Sequence, residues 1–509
     1  MMDKTKIDNE RPSALDPSSE EIRGWGSAAI EVVAAYLDSI RDRRVYPETS
    51  SKQIREKLDR ALPGEGIGFE RLLETFSDVL VPMSRHNGHP RMFGYVQAPG
   101  TAIAAIADLL ASALNANLTA WRSAPAAVEV ERLTIDWIKE IIGVDAGATG
   151  LFVSGGSMAN LAALATARRA KAPADLTSRG AQFFPRAMRV YVSEETHHSV
   201  AKAAALLGIG RDNVRVVGVD ECFKIRIGEL VAKIEEDLEA GHLPFFVVAS
   251  AGTVNTGAFD PLAEVSEVAR RFNLWMHVDA SYGGFAALAP SAKSLFDAMR
   301  EADSVALDPH KWLYLPVDCG CVLYRDAEAA RATFAHDAEY TRVLEQQPDE
   351  AFAFWDYGPE LSRRFRALKV WMMLKGVGLR VLGEMIEKDL ACARHLERLV
   401  RASEDFEMLA PVELSIFCFR HVPSGLKLAL ARANEAERAR LNQKLDRLNE
   451  RLLIALQQDG SSYLSNALLG GRFCLRGCVM NYRTTLRDME ILLDDLRRLA
   501  PVASRRDAT

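Results

Sequence analysis

Lys311 stands in Asp308-Pro309-His310-Lys311-Trp312, directly after a strand-like run. In an open α/β sheet, ligands collect at the carboxyl ends of the strands. An amine placed there can have its pKa lowered by burial or by nearby positive charge, which frees it for imine formation. Most lysines are surface residues, so taken alone Lys311 is only a weak functional signal. Upstream, Leu274-Trp275-Met276-His277-Val278-Asp279-Ala280 puts a carboxylate at the end of a second buried strand. A buried, unpaired Asp is costly and needs a partner. A protonated pyridine nitrogen would serve, because the carboxylate keeps that nitrogen charged and the ring electron-withdrawing; capping the next turn is the other reading.

Two further segments have the same placement. Phe152-Val153-Ser154-Gly155-Gly156-Ser157-Met158-Ala159-Asn160-Leu161 ends a strand in a Gly-rich turn and starts a helix. The free N–H groups there, the positive end of the helix dipole and the Ser157 hydroxyl suit a phosphate dianion. Ser193-Glu194-Glu195-Thr196-His197-His198-Ser199 puts an imidazole at another strand end. From there it can stack on a flat ring and exchange protons with a bound substrate. A Gly-rich turn or a lone His means little alone; four such segments in one chain mean more.

The elements that must hold these groups follow from the pattern. From about residue 150, short β-rich runs alternate with helical segments: Arg189-VYVS, Pro244-FFVVAS, Leu274-WMHVDA, Asp303-SVALD and Cys319-GCVLY. This predicts an α/β fold with a mostly parallel central sheet covered by helices. Ser18 and Ser19 before Glu20 and Glu21 open an amphipathic helix that runs to about residue 40. The apolar stretch from Ala102 to Ala116, broken by Asp108 and Asn115, is too short to cross a bilayer and reads as a buried helix. After about residue 380 a charged helical region through Arg451 precedes the strand-like Arg472-FCLRGCVMNY, giving a smaller C-terminal α+β unit.

Composition narrows the function classes. The 509 residues, 48% hydrophobic and 26% charged, are those of a globular chain of more than one unit. A net charge of −6, with 63 basic and 69 acidic residues interspersed, carries no basic block for nucleic acid. The first twenty residues lack the apolar core of a signal peptide, so a cytoplasmic protein without membrane association is expected. Seven cysteines without metal-site spacing read as reduced core thiols, and no metal is expected.

In this order and spacing, SGGSMANL, THHS, HVDASYGG and DPHKW resemble the group II pyridoxal 5′-phosphate (PLP)-dependent amino acid decarboxylases over about residues 20 to 490. The resemblance implies a PLP-dependent transferase fold of type I (aspartate aminotransferase-like) acting as a homodimer. Its units would be a dimer-forming N-terminal segment at 1–90, a large PLP-binding domain at 91–385 and a small domain at 386–509. It implies that Lys311 holds PLP as a Schiff base, that Asp279 pairs with the ring nitrogen and that His197 stacks on the ring. Gly156, Ser157, Asp308 and His310 would surround the phosphate, with Thr253 and Ser281 completing the cofactor set. Tyr95, Trp121 and Arg363 would face an amino acid substrate, preferably aromatic.

Alignment to the family puts Phe354 where the aromatic decarboxylases use a loop tyrosine as proton donor, with Tyr340 and Tyr357 nearby. Without such a tyrosine, the resemblance points to an aldehyde synthase. A decarboxylase of an acidic or diamino acid and a carbon–carbon lyase of the same fold are further alternatives. A non-catalytic cofactor-binding protein would lack Lys311 or Asp279, and both are present.

Overall fold

The computed structural model describes residues 15–172, 176–180, 184–335 and 350–505. Its larger sheet has seven strands: β1 (Thr149–Val153), β2 (Met188–Ser193), β3 (Val214–Val217), β4 (Leu243–Ser250), β5 (Trp275–Ala280), β6 (Ser304–Leu307) and β7 (Gly320–Tyr324). Their order across the sheet is β1-β7-β6-β5-β4-β2-β3. The pairs β6–β5, β5–β4, β4–β2 and β2–β3 are parallel, and β7 runs antiparallel to both its neighbours. β4 and β5 are buried almost end to end, as expected where helices cover both faces of a sheet.

This topology gathers the chemistry. Ser250 of β4 pairs with Asp279 of β5, and Asp279 pairs with Ala306 of β6, so these strands end level. Because β7 reverses direction between β6 and β1, β1 points the same way as β6. The segments after β1, β2, β4, β5 and β6 therefore emerge at one edge of the sheet, and they contain Gly156, His197, Thr253, Ser281 and Lys311.

The smaller sheet has the order β10-β11-β9-β8, formed by β8 (Phe406–Met408), β9 (Ile416–His421), β10 (Ser465–Leu469) and β11 (Arg472–Cys478), with every pair antiparallel. It packs with the helices Leu379–Ala402, Glu435–Asp459 and Leu486–Arg505 around its own core, which includes Leu396, Phe417, Leu452 and Leu496. The expected charged helical run from 380 to 451 is thus interrupted by β8 and β9, whose alternate faces fill this core. The helix Leu379–Ala402 runs through residue 385, where the sequence suggested a boundary.

The helix Ser19–Asp38 forms as expected. Ser18 and Glu21 make a capping box at its start, and none of its residues is buried. The helix Ala102–Leu114 corrects the expectation of a buried helix. Only Ala104, Ala107 and Ala111 are buried, while Ile106, Leu109, Leu110 and Leu114 stand 43 to 65% exposed. Its small residues allow close packing against the helix Ala367–Val377, and the bulkier ones turn outward. Among the described residues no helix is long and apolar enough to cross a membrane.

Candidate active site

A cavity of about 630 Å³ opens at the edge where these segments meet. Lys311 lies in the four-residue helix Pro309–Trp312 that follows β6, and its Nζ is 2.9 Å from Asp308 Oδ2. Asp308 Oδ1 is buried and has no hydrogen-bond partner among the described residues. His310 also lines the cavity, with Nδ1 2.7 Å from the carbonyl of Cys319.

Across the cavity, Asp279 lies near the end of β5. Its Oδ1 accepts from the Ser281 N–H at 3.1 Å and its Oδ2 from the Asn160 amide at 2.9 Å. Burial pushes this carboxyl up, but hydrogen bonding from Ser281, the neighbouring His277 ring, the Asn160 amide and Lys311 together more than offset it, so it sits below the ordinary carboxylate range. The His197 ring is held by Ser199, whose Oγ is 2.7 Å from Nδ1, and desolvation lowers its pKa.

The Gly-rich turn supplies a cradle. The helix Gly156–Lys171 starts at the cavity wall with Gly155 as its N-cap and no side chain capping it. A Cβ on Gly156 would land on Ser281 Oγ and come 3.1 Å from Asp308 Oδ2, so only a glycine lets the helix start pack this closely against those side chains, with its free N–H groups at the cavity wall. Ser157 is exposed on the same rim. Thr253 is buried at the wall, its hydroxyl 2.8 Å from that of Thr256.

An amine, a carboxylate held ionised, an imidazole and an anion cradle thus share one cavity. This donor set fits PLP, whose aldehyde, ring nitrogen, ring face and phosphate call for those four groups.

Four of the residues singled out from the sequence lie elsewhere. Arg363 is fully buried and does not line the cavity. Its guanidinium is ion-paired with Glu131, donates to the carbonyls of Leu118 and Phe152 at 2.9 Å, and lies 4.3 Å from the centroid of the Phe354 ring. A buried cation needs such partners, and they leave it no reach to a substrate carboxylate in this chain. Phe354 is core: it is buried beneath Arg363, and its N–H bonds the carbonyl of Thr119. It therefore does not stand in for a loop residue over the site, and the aldehyde-synthase reading loses the residue that motivated it. Trp121 packs in the same cluster as Phe354, away from the cavity lining. Tyr357 stacks on Phe352 at 5.5 Å, and Tyr340 lies outside the described residues. Tyr95 does line the cavity, with the Arg85 guanidinium 4.8 Å from its ring centroid.

The sequence reading also passed over residues that matter here. Asn160 and His277 lie behind Asp279. The signals for them were an Asn one turn after Gly156 in an alanine-rich helix, and a His two residues before Asp279, on the same face of a strand. Arg476, from β11, reaches the cavity wall and donates to the carbonyls of Tyr95 at 2.9 Å and Val254 at 2.6 Å; no local pattern marks it.

Fold and site together define a PLP enzyme of the type I fold that acts on amino acids. Residues 51–422 match the model of the pyridoxal-dependent decarboxylase conserved domain, and the chain belongs to that family, the group II amino acid decarboxylases. It is 34% identical over 490 residues to the aromatic-L-amino-acid decarboxylase of Bacillus atrophaeus, spanning 96% of this chain and 98% of that one. Among solved structures it resembles Oryza sativa TDC with PLP and tryptamine, with a TM-score of 0.86 at 27% identity, covering 96% of this chain and 99% of the other. It is also similar to Rhodiola rosea 4-hydroxyphenylacetaldehyde synthase, with a TM-score of 0.83 at 27% identity over 95% and 99% of the two chains. PLP is its cofactor and amino acid decarboxylation its reaction.

Proposed function

We propose that this chain removes the α-carboxylate of an aromatic L-amino acid as CO₂ and releases the amine, with Lys311 holding the cofactor through an imine. The observation that carries the reading is the convergence of Lys311, Asp279 and His197 on one cavity. The preference for an aromatic substrate draws on the likeness to the Bacillus enzyme and on Tyr95 at the cavity rim.

When bound, PLP supplies a conjugated ring that takes up the electron pair left as the Cα–carboxylate bond breaks. Asp279, an ionised acceptor in a buried setting, holds the ring nitrogen protonated. His197 packs on the ring face and orients the substrate carboxylate. Gly156 and Ser157 bind the phosphate at the start of their helix, and His310 and Ser281 close that end. The sequence placed Asp308 at the phosphate as well. Its carboxylate is drawn instead to Lys311 Nζ and would repel a dianion, so we assign it to the lysine. Thr253 borders the ring side of the pocket.

The test is a screen of the holoenzyme against the twenty amino acids and DOPA for CO₂, amine and peroxide. Equimolar CO₂ and amine from an aromatic substrate is the expected result. Absence of CO₂ throughout would overturn the reading, and peroxide and ammonia in step with CO₂ would replace it with an aldehyde synthase. Gly156→Ala is expected to weaken PLP binding at least about tenfold, because the methyl would collide with Ser281 and Asp308 and push apart the wall of the phosphate cradle. Titrating apoenzyme with PLP measures this, and unchanged affinity would remove the glycine from the cradle.

We assign the exposed apolar residues of the two N-terminal helices to a homodimer. Ile22, Ile30 and Val33 on Ser19–Asp38 and Leu109, Leu110 and Leu114 on Ala102–Leu114 are left exposed, and a second copy of the chain is an occupant that would cover such apolar side chains. Light scattering is expected to give twice the chain mass, with Leu109→Glu combined with Leu110→Glu shifting the population to monomer. A wild-type monomer at micromolar concentration would contradict the assignment.

A further inference from the structure

Asn160 is a buried amide in the helix Gly156–Lys171, with every polar atom engaged. Its Nδ2 donates to Asp279 Oδ2 at 2.9 Å and to Ser199 Oγ at 2.8 Å, and its Oδ1 lies 2.9 Å from His277 Nε2. On the far side, His277 Nδ1 is 2.9 Å from Ser304 Oγ, which accepts from the indole N–H of Trp275 at 2.8 Å. The sheet register places His277 opposite Ser304.

The directions in this chain are fixed at its ends. An indole N–H only donates and an ionised carboxylate only accepts. The Asn160 nitrogen must therefore face Asp279, and its oxygen must face His277. Burial lowers the His277 pKa to about 4, so the ring is neutral and carries one hydrogen, on Nε2, given to the Asn160 oxygen. Its Nδ1 accepts from the Ser304 hydroxyl. On the other branch, the Ser199 backbone N–H, which can only donate, points at His197 Nδ1 at 3.3 Å, so the Ser199 hydroxyl, which accepts from Asn160, gives its own hydrogen to the same nitrogen at 2.7 Å. His197 Nδ1 is thus an acceptor, and the ring hydrogen sits on Nε2.

We propose that Asn160 is a positioning residue which, from one amide nitrogen, holds Asp279 as a hydrogen-bond acceptor and, through Ser199, sets His197 in the Nε2–H tautomer. The inference rests on the reading that Asp279 and His197 serve the cofactor. It links the two sides of the ring site through a single side chain, so that losing it affects both the ring-nitrogen partner and the proton-bearing imidazole.

The test uses holoenzyme of wild type, Asn160→Leu, Asp279→Asn and the double variant, with PLP affinity and the pH dependence of the visible imine band read without substrate. Asn160→Leu is expected to weaken PLP about tenfold or more and to shift the pH midpoint of the band, with little further change when added to Asp279→Asn. A role confined to packing would lower the melting temperature, leave the band's pH profile unchanged and add independently to Asp279→Asn; that result overturns the proposal. If Asp279→Asn leaves both affinity and band unchanged, the cofactor reading itself fails, which is a distinguishable outcome. Ser199→Ala is a milder second variant that touches only the imidazole branch. It is expected to move the pH profile of kcat/KM while leaving PLP affinity within about twofold, and an unchanged profile would overturn the tautomer assignment even if Asn160→Leu did not fold.

Discussion

Lys311→Ala is expected to lower the rate of CO₂ release by at least about a thousandfold, roughly 4 kcal/mol of transition-state stabilisation. The lysine amine is the group in the cavity that can hold an aldehyde covalently and then be displaced by a substrate amine. Asp308 at 2.9 Å keeps it directed into the site. Alanine removes that amine while leaving the packing of Pro309 and Trp312 intact, so the melting temperature of the apoenzyme should move by only a few degrees. CO₂ release in single-turnover and steady-state assays measures the effect, together with the visible spectrum before and after borohydride. A variant that keeps more than a tenth of the wild-type rate would remove Lys311 from the chemistry.

Asp279→Asn is expected to cost about a hundredfold or more in kcat/KM and to weaken PLP binding as well. The substitution is nearly isosteric but removes the negative charge that, in the role proposed for Asp279, would keep a ring nitrogen protonated, and with it the ring's capacity to accept electrons. It also turns an amide toward Asn160 and Ser281, which both donate to the native carboxylate. Steady-state kinetics over pH, with PLP held above its dissociation constant, separates the electronic loss from simple cofactor loss. Recovery of full activity at saturating PLP would show that Asp279 only aids retention.

Much of this site was legible in the sequence because its parts are local. Gly156, His197, Thr253, Ser281 and Lys311, which line the cavity, each follow a strand within a few residues, and a β-rich run ending in a Gly-rich or polar turn can be read from one window. What was hidden is non-local. Arg363 reads as a free cation until Glu131, more than two hundred positions earlier, is brought against it. Phe354 aligns with a catalytic-loop position of the family, yet it is packed beneath that same guanidinium. β3 is a short edge strand with only Val217 buried, so its pattern carries little signal, and β8 and β9 lie inside a stretch dominated by helix-forming residues. The outward leucines of Ala102–Leu114 show the converse: an apolar run marks a surface to be covered without saying whether its own chain covers it.

The most direct test of the account is to reduce the holoenzyme with borohydride, digest it and locate the phosphopyridoxyl group by mass spectrometry. The group is expected on the peptide containing Lys311, at that lysine, with loss of decarboxylase activity in step with its incorporation. A label on another lysine, or no label on an enzyme that still releases CO₂, would contradict it.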